Sequence, residues 1–198
     1  MGWDSFKKRP WFFIGVTLLT FVVGAVMRSA TAHAGGQGGQ ALDFVVNLLV
    51  GTLIDIGLVA VFLKAAQMPE SVTFSDLWHP ASYWYYLGAA LLSGVLIAIG
   101  FVLLIIPGLM LATMWFFVKY LVVDKNLTPV AAMKESAMIT KGHRWALLGF
   151  LVLIILINIL GVICLVVGLL VSIPVTGLAT VHAYRTLSSH THPHAPAA

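Results

Sequence analysis

Charge is scarce in this sequence. Asp, Glu, Lys and Arg make up only 9% of its 198 residues, where a soluble domain carries about 25%, so a water-soluble globular protein is excluded. Cysteine is scarcer still. Cys164 stands alone, which excludes a disulfide-stapled fold. Disorder needs low hydrophobicity and high charge, and collagen needs a strict glycine period; neither fits a chain that is 60% hydrophobic. What is present in abundance is long uncharged apolar sequence, the mark of an all-α polytopic membrane protein.

A helix needs about 20 apolar residues to cross the hydrocarbon core. Trp11 to Met27 supplies one crossing, and Phe44 to Leu63 a second, interrupted only by Asp55. Ala81 to Val118 holds no charge and as one helix would reach nearly 60 Å at about 1.5 Å per residue, twice the core, so it must fold back. Pro107-Gly108 is the expected break, since proline removes a backbone donor and glycine permits a reversal. Trp145 to Tyr184 repeats the argument, with its reversal expected around Gly168 and before Pro174. Six spans follow, near 11–27, 43–64, 84–106, 108–123, 145–167 and 169–187, in a single domain followed by a featureless tail, 188–198.

With the N-terminus inside, Lys7, Lys8, Arg9, Lys64, Lys119, Lys125, Lys134, Lys141, Arg144 and Arg185 lie at or near the cytoplasmic side, and only Arg28 lies outside. This positive-inside bias predicts two cytoplasmic termini. Lys7-Lys8-Arg9, the apolar run and Ala32-His33-Ala34 before Gly35 also look like a cleavable secretory signal. The 17-residue apolar stretch and the arginine just beyond it favour a retained span.

An internal repeat is visible. Trp11-Phe12-Phe13-Ile14-Gly15 reads like Trp84-Tyr85-Tyr86-Leu87-Gly88, and a third copy begins at Trp145 with Leu148-Gly149. The second and third copies also pair Gly100 with Gly161 and set Pro107-Gly108 opposite Gly168-Leu169. Each unit reads as an interfacial segment, an aromatic belt residue, an outward helix, a tight turn and a return helix. Three parallel hairpins of this kind differ from the inverted pair common among secondary transporters. Gly88, Gly100, Gly149 and Gly161 are expected to permit close helix contact.

Between the spans, Thr73-Phe74-Ser75-Asp76 has the spacing of a capping box, before Pro80. Thr128-Pro129 places a cap and then proline at the first helical position, and Gly142 supplies the stop. Val130, Met133, Ala137 and Met138 share one face of the helix between them, with Lys134, Glu135 and Lys141 polar, which predicts a short amphipathic helix on the inner membrane surface. Met133, Lys134, Met138, Lys141 and Arg144 are its candidate contact residues. Ser29 to Gln40, with Gly35-Gly36-Gln37-Gly38-Gly39-Gln40, reads as a flexible loop.

Asp55 is the sharpest polar signal, 12 residues into the second span and close to the expected bilayer centre. A carboxylate there costs about 2.5 to 3.5 kcal/mol on insertion scales, so it should face the bundle interior. It is either a proton or cation site, with Asn47, Asn158 or His182 as partner, or a hydrogen-bonded carboxyl that fixes helix packing. Lys119 and Lys64 are expected to snorkel to the headgroups. His190, His192 and His194 lie in the tail without a further ligand, so no metal or other cofactor is expected. Ser136 adjoins Glu135, but sequence neighbours on a helix point apart, so the pair is no catalytic dyad, and no other nucleophile, metal or phosphate motif is present.

The stretch Leu103-Leu104-Ile105-Ile106-Pro107-Gly108, then Lys119-Tyr120, Asp124, Ala132, Glu135-Ser136, Thr140-Lys141-Gly142-His143, and finally Pro174, Tyr184 and Leu187, resembles a bacterial family of polytopic inner-membrane proteins of unknown function. It is also similar to the membrane domain attached to some glycerophosphodiester phosphodiesterases. The resemblance covers Phe74 to Leu187, with a looser match through Trp3-Asp4-Ser5-Phe6-Lys7-Lys8. It implies a membrane module in the bacterial plasma membrane, with no activity or catalytic residues to transfer, because the phosphodiesterase chemistry belongs to a separate soluble domain. The expectation is a non-enzymatic protein for envelope maintenance or partner scaffolding; the alternative is a small transporter or lipid-handling protein using Asp55. Membrane lipids and a membrane or cytoplasmic protein are the expected partners. The net charge of +4 is explained by topology and gives no reason to expect nucleic acid.

Overall fold

The computed structural model describes residues 10–32, 37–68, 72–73, 83–163 and 167–191, and every regular element among them is an α-helix. In chain order these are α1 (Pro10–Ala32), α2 (Gln37–Gln67), α3 (Tyr83–Leu103), α4 (Ile105–Met114), α5 (Val118–Lys125), α6 (Pro129–Ile139), α7 (Arg144–Ile163) and α8 (Val167–Thr191). Neighbours in sequence pack as antiparallel pairs, α3 on α4 and α7 on α8, while α2 and α8 meet in the centre and α1 lies against both. The chain is an all-α, multi-span helical bundle consistent with a polytopic membrane fold.

Its surface is apolar. Leu91, Val95 and Ile99 on α3 and Val152, Leu156, Ile159 and Ile163 on α7 all face outward, which a soluble protein of this size would not tolerate over so large an area. Aromatic and hydroxyl side chains fill the interior: Phe13, Tyr86, Phe117 and Tyr184 are buried beside Thr17, Thr113, Ser172, Thr176 and Thr180. The hydroxyls are satisfied within their own helices. Thr17 donates to the Phe13 carbonyl at 2.9 Å, Thr176 to Ser172 at 2.7 Å and Thr180 to Thr176 at 2.7 Å.

Four stretches among the described residues are long and apolar enough to cross a membrane: Val45–Gln67, Tyr83–Leu103, Ile105–Lys125 and Arg144–Ile163. The six expected spans are thus met in four places. In α1, which runs from Pro10 to Ala32, the described apolar helix is Pro10–Val26.

The reversals differ in detail from the sequence reading. The α3–α4 turn is made at Leu104 (φ −164°, ψ 142°), not at Pro107-Gly108. Proline sits three residues on, in the first turn of α4, where its missing N–H has no intrahelical acceptor to lose. The expected 108–123 span is two helices, α4 and α5, separated by a turn at Trp115 to Phe117. The flexible loop expected from Ser29 to Gln40 is helical over 29–32 and 37–40. Ser29 Oγ donates to the Val26 carbonyl at 2.8 Å. Likewise α8 continues to Thr191, into the expected tail. The capping box beyond Thr73, Pro80, the signal-like Ala34-Gly35, and His192 and His194 lie outside the described residues.

Gly142 does end the amphipathic segment, in the left-handed region at φ +87°. Thr128 occupies the cap position of α6 with Pro129 behind it, although its hydroxyl makes no capping bond. Of the glycines expected at helix contacts, Gly100 and Gly161 are so placed. A Cβ on Gly100 would stand 3.1 Å from the Gly108 Cα, and one on Gly161 3.2 Å from the Gly168 carbonyl carbon. Gly88 touches Pro129, but Gly149 has nothing within 4 Å, because its side of α7 points away from the bundle.

Candidate functional site

Three helices converge on Asp55. Tyr86 of α3 donates its hydroxyl to Asp55 Oδ2 at 2.7 Å, and Lys119 of α5 places its ammonium 2.5 Å from the same oxygen. The lysine also lies over the Tyr86 ring, 5.8 Å from its centroid, a cation–π geometry. Asp55 is thereby opposed by a full positive charge and a hydroxyl donor, the two compensations that allow a carboxylate in an apolar environment. Tyr86 is buried, whereas the side chains of Asp55 and Lys119 are 42% and 48% exposed. Tyr83, one turn before Tyr86, donates to the Leu49 carbonyl at 3.4 Å and ties the same two helices.

This arrangement corrects the expected depth. Asp55 is central in α2, but Tyr86 is three residues from the start of α3, about 5 Å, and Lys119 six residues from the end of α5, about 9 Å. The site therefore lies toward the end of the bundle where α3 begins and α5 finishes. Depth was misjudged because α2 has 31 residues, about 46 Å of helix against a core of about 30 Å, so its midpoint need not mark the bilayer centre. Nor does Lys119 snorkel to the headgroups; it turns to the carboxylate.

None of the three expected partners reaches Asp55. Asn158 serves the other hairpin: its amide donates to the Ile154 carbonyl at 2.8 Å and its oxygen accepts from Ser172 Oγ at 3.0 Å, linking α7 to α8. Asn47 is two helical turns away on α2 and exposed, and His182 is exposed on α8. The sequence signal for the true pair was present. A lysine at the end of one uncharged run and a lone aspartate inside another are complementary charges.

A second polar network surrounds the junction of α5, α6 and α8. Tyr184 donates to Asp124 Oδ2 at 2.8 Å and stacks on Tyr120 at 6.0 Å, and Lys125 pairs with Glu135 at 2.5 Å. Arg185 donates to the Leu63 carbonyl at 3.2 Å. Ser136 closes the break between α4 and α5: its hydroxyl donates to the Met114 carbonyl at 2.8 Å and accepts from the Phe117 N–H at 3.3 Å. Thr140 adds a longer bond of 3.3 Å to the Met114 carbonyl. The Ser136 hydroxyl is thus committed to backbone groups and not poised as a nucleophile.

Docking onto that break turns α6. Ala132, Met133, Ser136, Ile139 and Thr140 are buried, while Val130, Lys134 and Met138 are exposed. Met133 is accordingly a packing residue and not the surface contact expected of it, and the expected apolar face is rotated toward Ser136 and Thr140. The reason is chemical: the broken helix offers an unpaired carbonyl and amide, and two hydroxyls satisfy them better than an aliphatic face would. Lys141 and Arg144 border a cleft between α4 and α7. Among the described residues, no group of three or more His, Cys, Asp or Glu is placed to hold a metal ion.

The chain is similar to an uncharacterised protein of Mycobacterium bovis, 26% identical over 187 aligned residues that cover 84% of this chain and 56% of the relative. An uncharacterised protein of Mycobacterium tuberculosis aligns with the same identity and coverage. The chain therefore spans a little over half the length of the curated relatives it matches. No family model matches it. No solved structure matches it.

Proposed function

We propose that this chain is a non-enzymatic membrane module of the bacterial plasma membrane, both termini cytoplasmic, that holds or positions a protein partner in envelope maintenance. The observation that carries the reading is the pairing of Asp55 with Lys119 and Tyr86. It supplies the intramembrane carboxylate with its counter-charge from within the fold, so Asp55 is accounted for as a fastening of α2 to α3 and α5. The exposed face of α6, with Val130, Lys134 and Met138, is the surface for a partner. Membership of the inner-membrane family named above, and a build of three related hairpins in six crossings, belong to the same proposal. The like placement of Gly100 against Gly108 and of Gly161 against Gly168 supports the hairpin relation.

The test is rescue of an envelope-permeability defect in cells lacking the protein. Asp55→Asn is expected to rescue as well as the parent chain, and a Lys134→Glu/Met138→Glu variant to insert normally yet fail. Rescue by the second and failure of a correctly inserted first would reverse the reading. That outcome would favour a transporter or lipid-handling protein, a reading that draws on the near-half exposure of both charged side chains; loss of proton-coupled flux in vesicles reconstituted with Asp55→Asn would then be expected.

A further inference from the structure

The cleft between α4 and α7 has a volume of about 540 Å³, the size of a small-molecule site and not of a packing fault. Its chemistry is of two kinds. Ile106, Leu109 and Met110 of α4 and Leu148 of α7 supply an aliphatic lining, and Lys141 and Arg144 line the same cleft. The turn at Gly142, at φ +87°, lies between those two cations, which are three residues apart in sequence. Neither has an acidic partner among the described residues, whose ion pairs engage Lys119 and Lys125.

Two further observations point to a ligand that is both anionic and oily. Arg144 is half-buried where it lines the cleft, so its charge is less well hydrated than that of a surface arginine. Trp145, which adjoins it in the cleft, is 85% exposed. An amphipathic ring held outward beside cations is the arrangement found where a membrane surface meets water. The first turn of α7, whose amides lack intrahelical acceptors, begins at Arg144 and adds favourable potential for negative charge.

We propose that this cleft binds an anionic glycerophospholipid, with the headgroup phosphate held by Lys141 and Arg144 and one acyl chain lying along Ile106, Leu109 and Met110. The charge of the two cations selects the phosphate, and the aliphatic lining selects a lipid over a soluble anion. The site is separate from Asp55 and from the exposed face of α6, so it stands whether or not the scaffolding reading does.

The full chain in neutral detergent, titrated with phosphatidylglycerol or phosphatidylcholine of identical chains and read by native mass spectrometry, tests it. Phosphatidylglycerol is expected to be retained about tenfold more tightly, a difference of about 1.4 kcal/mol. Lys141→Gln/Arg144→Gln should remove that preference, Met110→Trp should weaken retention of both lipids by filling the cleft, and Lys64→Gln, a cation outside the cleft, should leave the preference unchanged. Should the double variant fail to fold, Lys141→Gln alone and Met110→Trp still decide the matter. Equal retention of the two lipids in the parent chain would overturn the proposal, as would equal losses in the Lys64 and Lys141 variants. Displacement of phosphatidylglycerol by millimolar inorganic phosphate would overturn it in favour of a soluble anion.

Discussion

The hairpins α3–α4 and α7–α8 close in the same way and then part company. In each, a glycine near the end of the first helix faces a glycine in the opening turns of the second, Gly100 against Gly108 and Gly161 against Gly168. After that α8 runs unbroken for 25 residues, past Pro174, with hydroxyls that return to carbonyls on its own helix. The return helix α4 stops after 10 residues, and its loose ends are satisfied by Ser136 and Thr140 from α6. Within a membrane every backbone polar group needs a partner inside the protein. One hairpin finds its partners locally, the other borrows them. Borrowing makes α6 part of the bundle, although its composition reads as a helix resting on the membrane surface.

The contrast can be broken in graded steps, each measured as a shift in unfolding midpoint in mixed micelles. Gly168→Ala has the largest expected effect, about 3 kcal/mol at the upper end of overpacking costs, because the new methyl would meet Gly161 backbone atoms at 2.6 to 3.0 Å. Gly100→Ala should cost less, about 1 kcal/mol, since the nearest atom is the flexible end of the Leu111 side chain. Equal losses in the two would mean that the Leu111 side chain cannot give way and that Gly100 is as tightly enclosed as Gly168. Ser136→Ala should cost about 2 kcal/mol by leaving the Met114 carbonyl and Phe117 amide short of a partner. The matching Thr176→Ala in α8 should cost about 1 kcal/mol or less, and a reversal of that order would undo the borrowed-versus-local distinction. Lys119→Met, read against Asp55→Asn in a double-mutant cycle, should show a coupling of about 1 kcal/mol, modest because both side chains are nearly half exposed. Gly149→Ala closes the series, with no loss and a gain of up to about 1 kcal/mol from helix propensity.

Much of the architecture was legible because apolar runs and their interruptions are long-range signals. The need for Ala81 to Val118 to double back follows from length alone, and the glycines at 100 and 161 stood out as matches that an apolar chain does not produce cheaply. The turn itself was misplaced by a few residues because proline is equally at home ending one helix and opening the next. The partners of Asp55 were not legible. Distance between α2, α3 and α5 is a tertiary property, and Tyr86 carried a competing identity as one of three aromatics in a repeated interfacial cluster. The rotation of α6 was hidden for a related reason: a serine and a threonine count as polar in any periodicity, and only the break in the neighbouring span explains why they face inward.

That break also has a consequence in time. Ser136 lies 22 residues after the Met114 carbonyl that it serves. A chain emerging from the ribosome therefore presents the 105–125 segment to the membrane with an open carbonyl and an open amide, and holds it incomplete until α6 has been made. The fold of this segment depends on the next one, so a chain stopped short of Ser136 would contain all the apolar residues of the span without the side chain that closes its break.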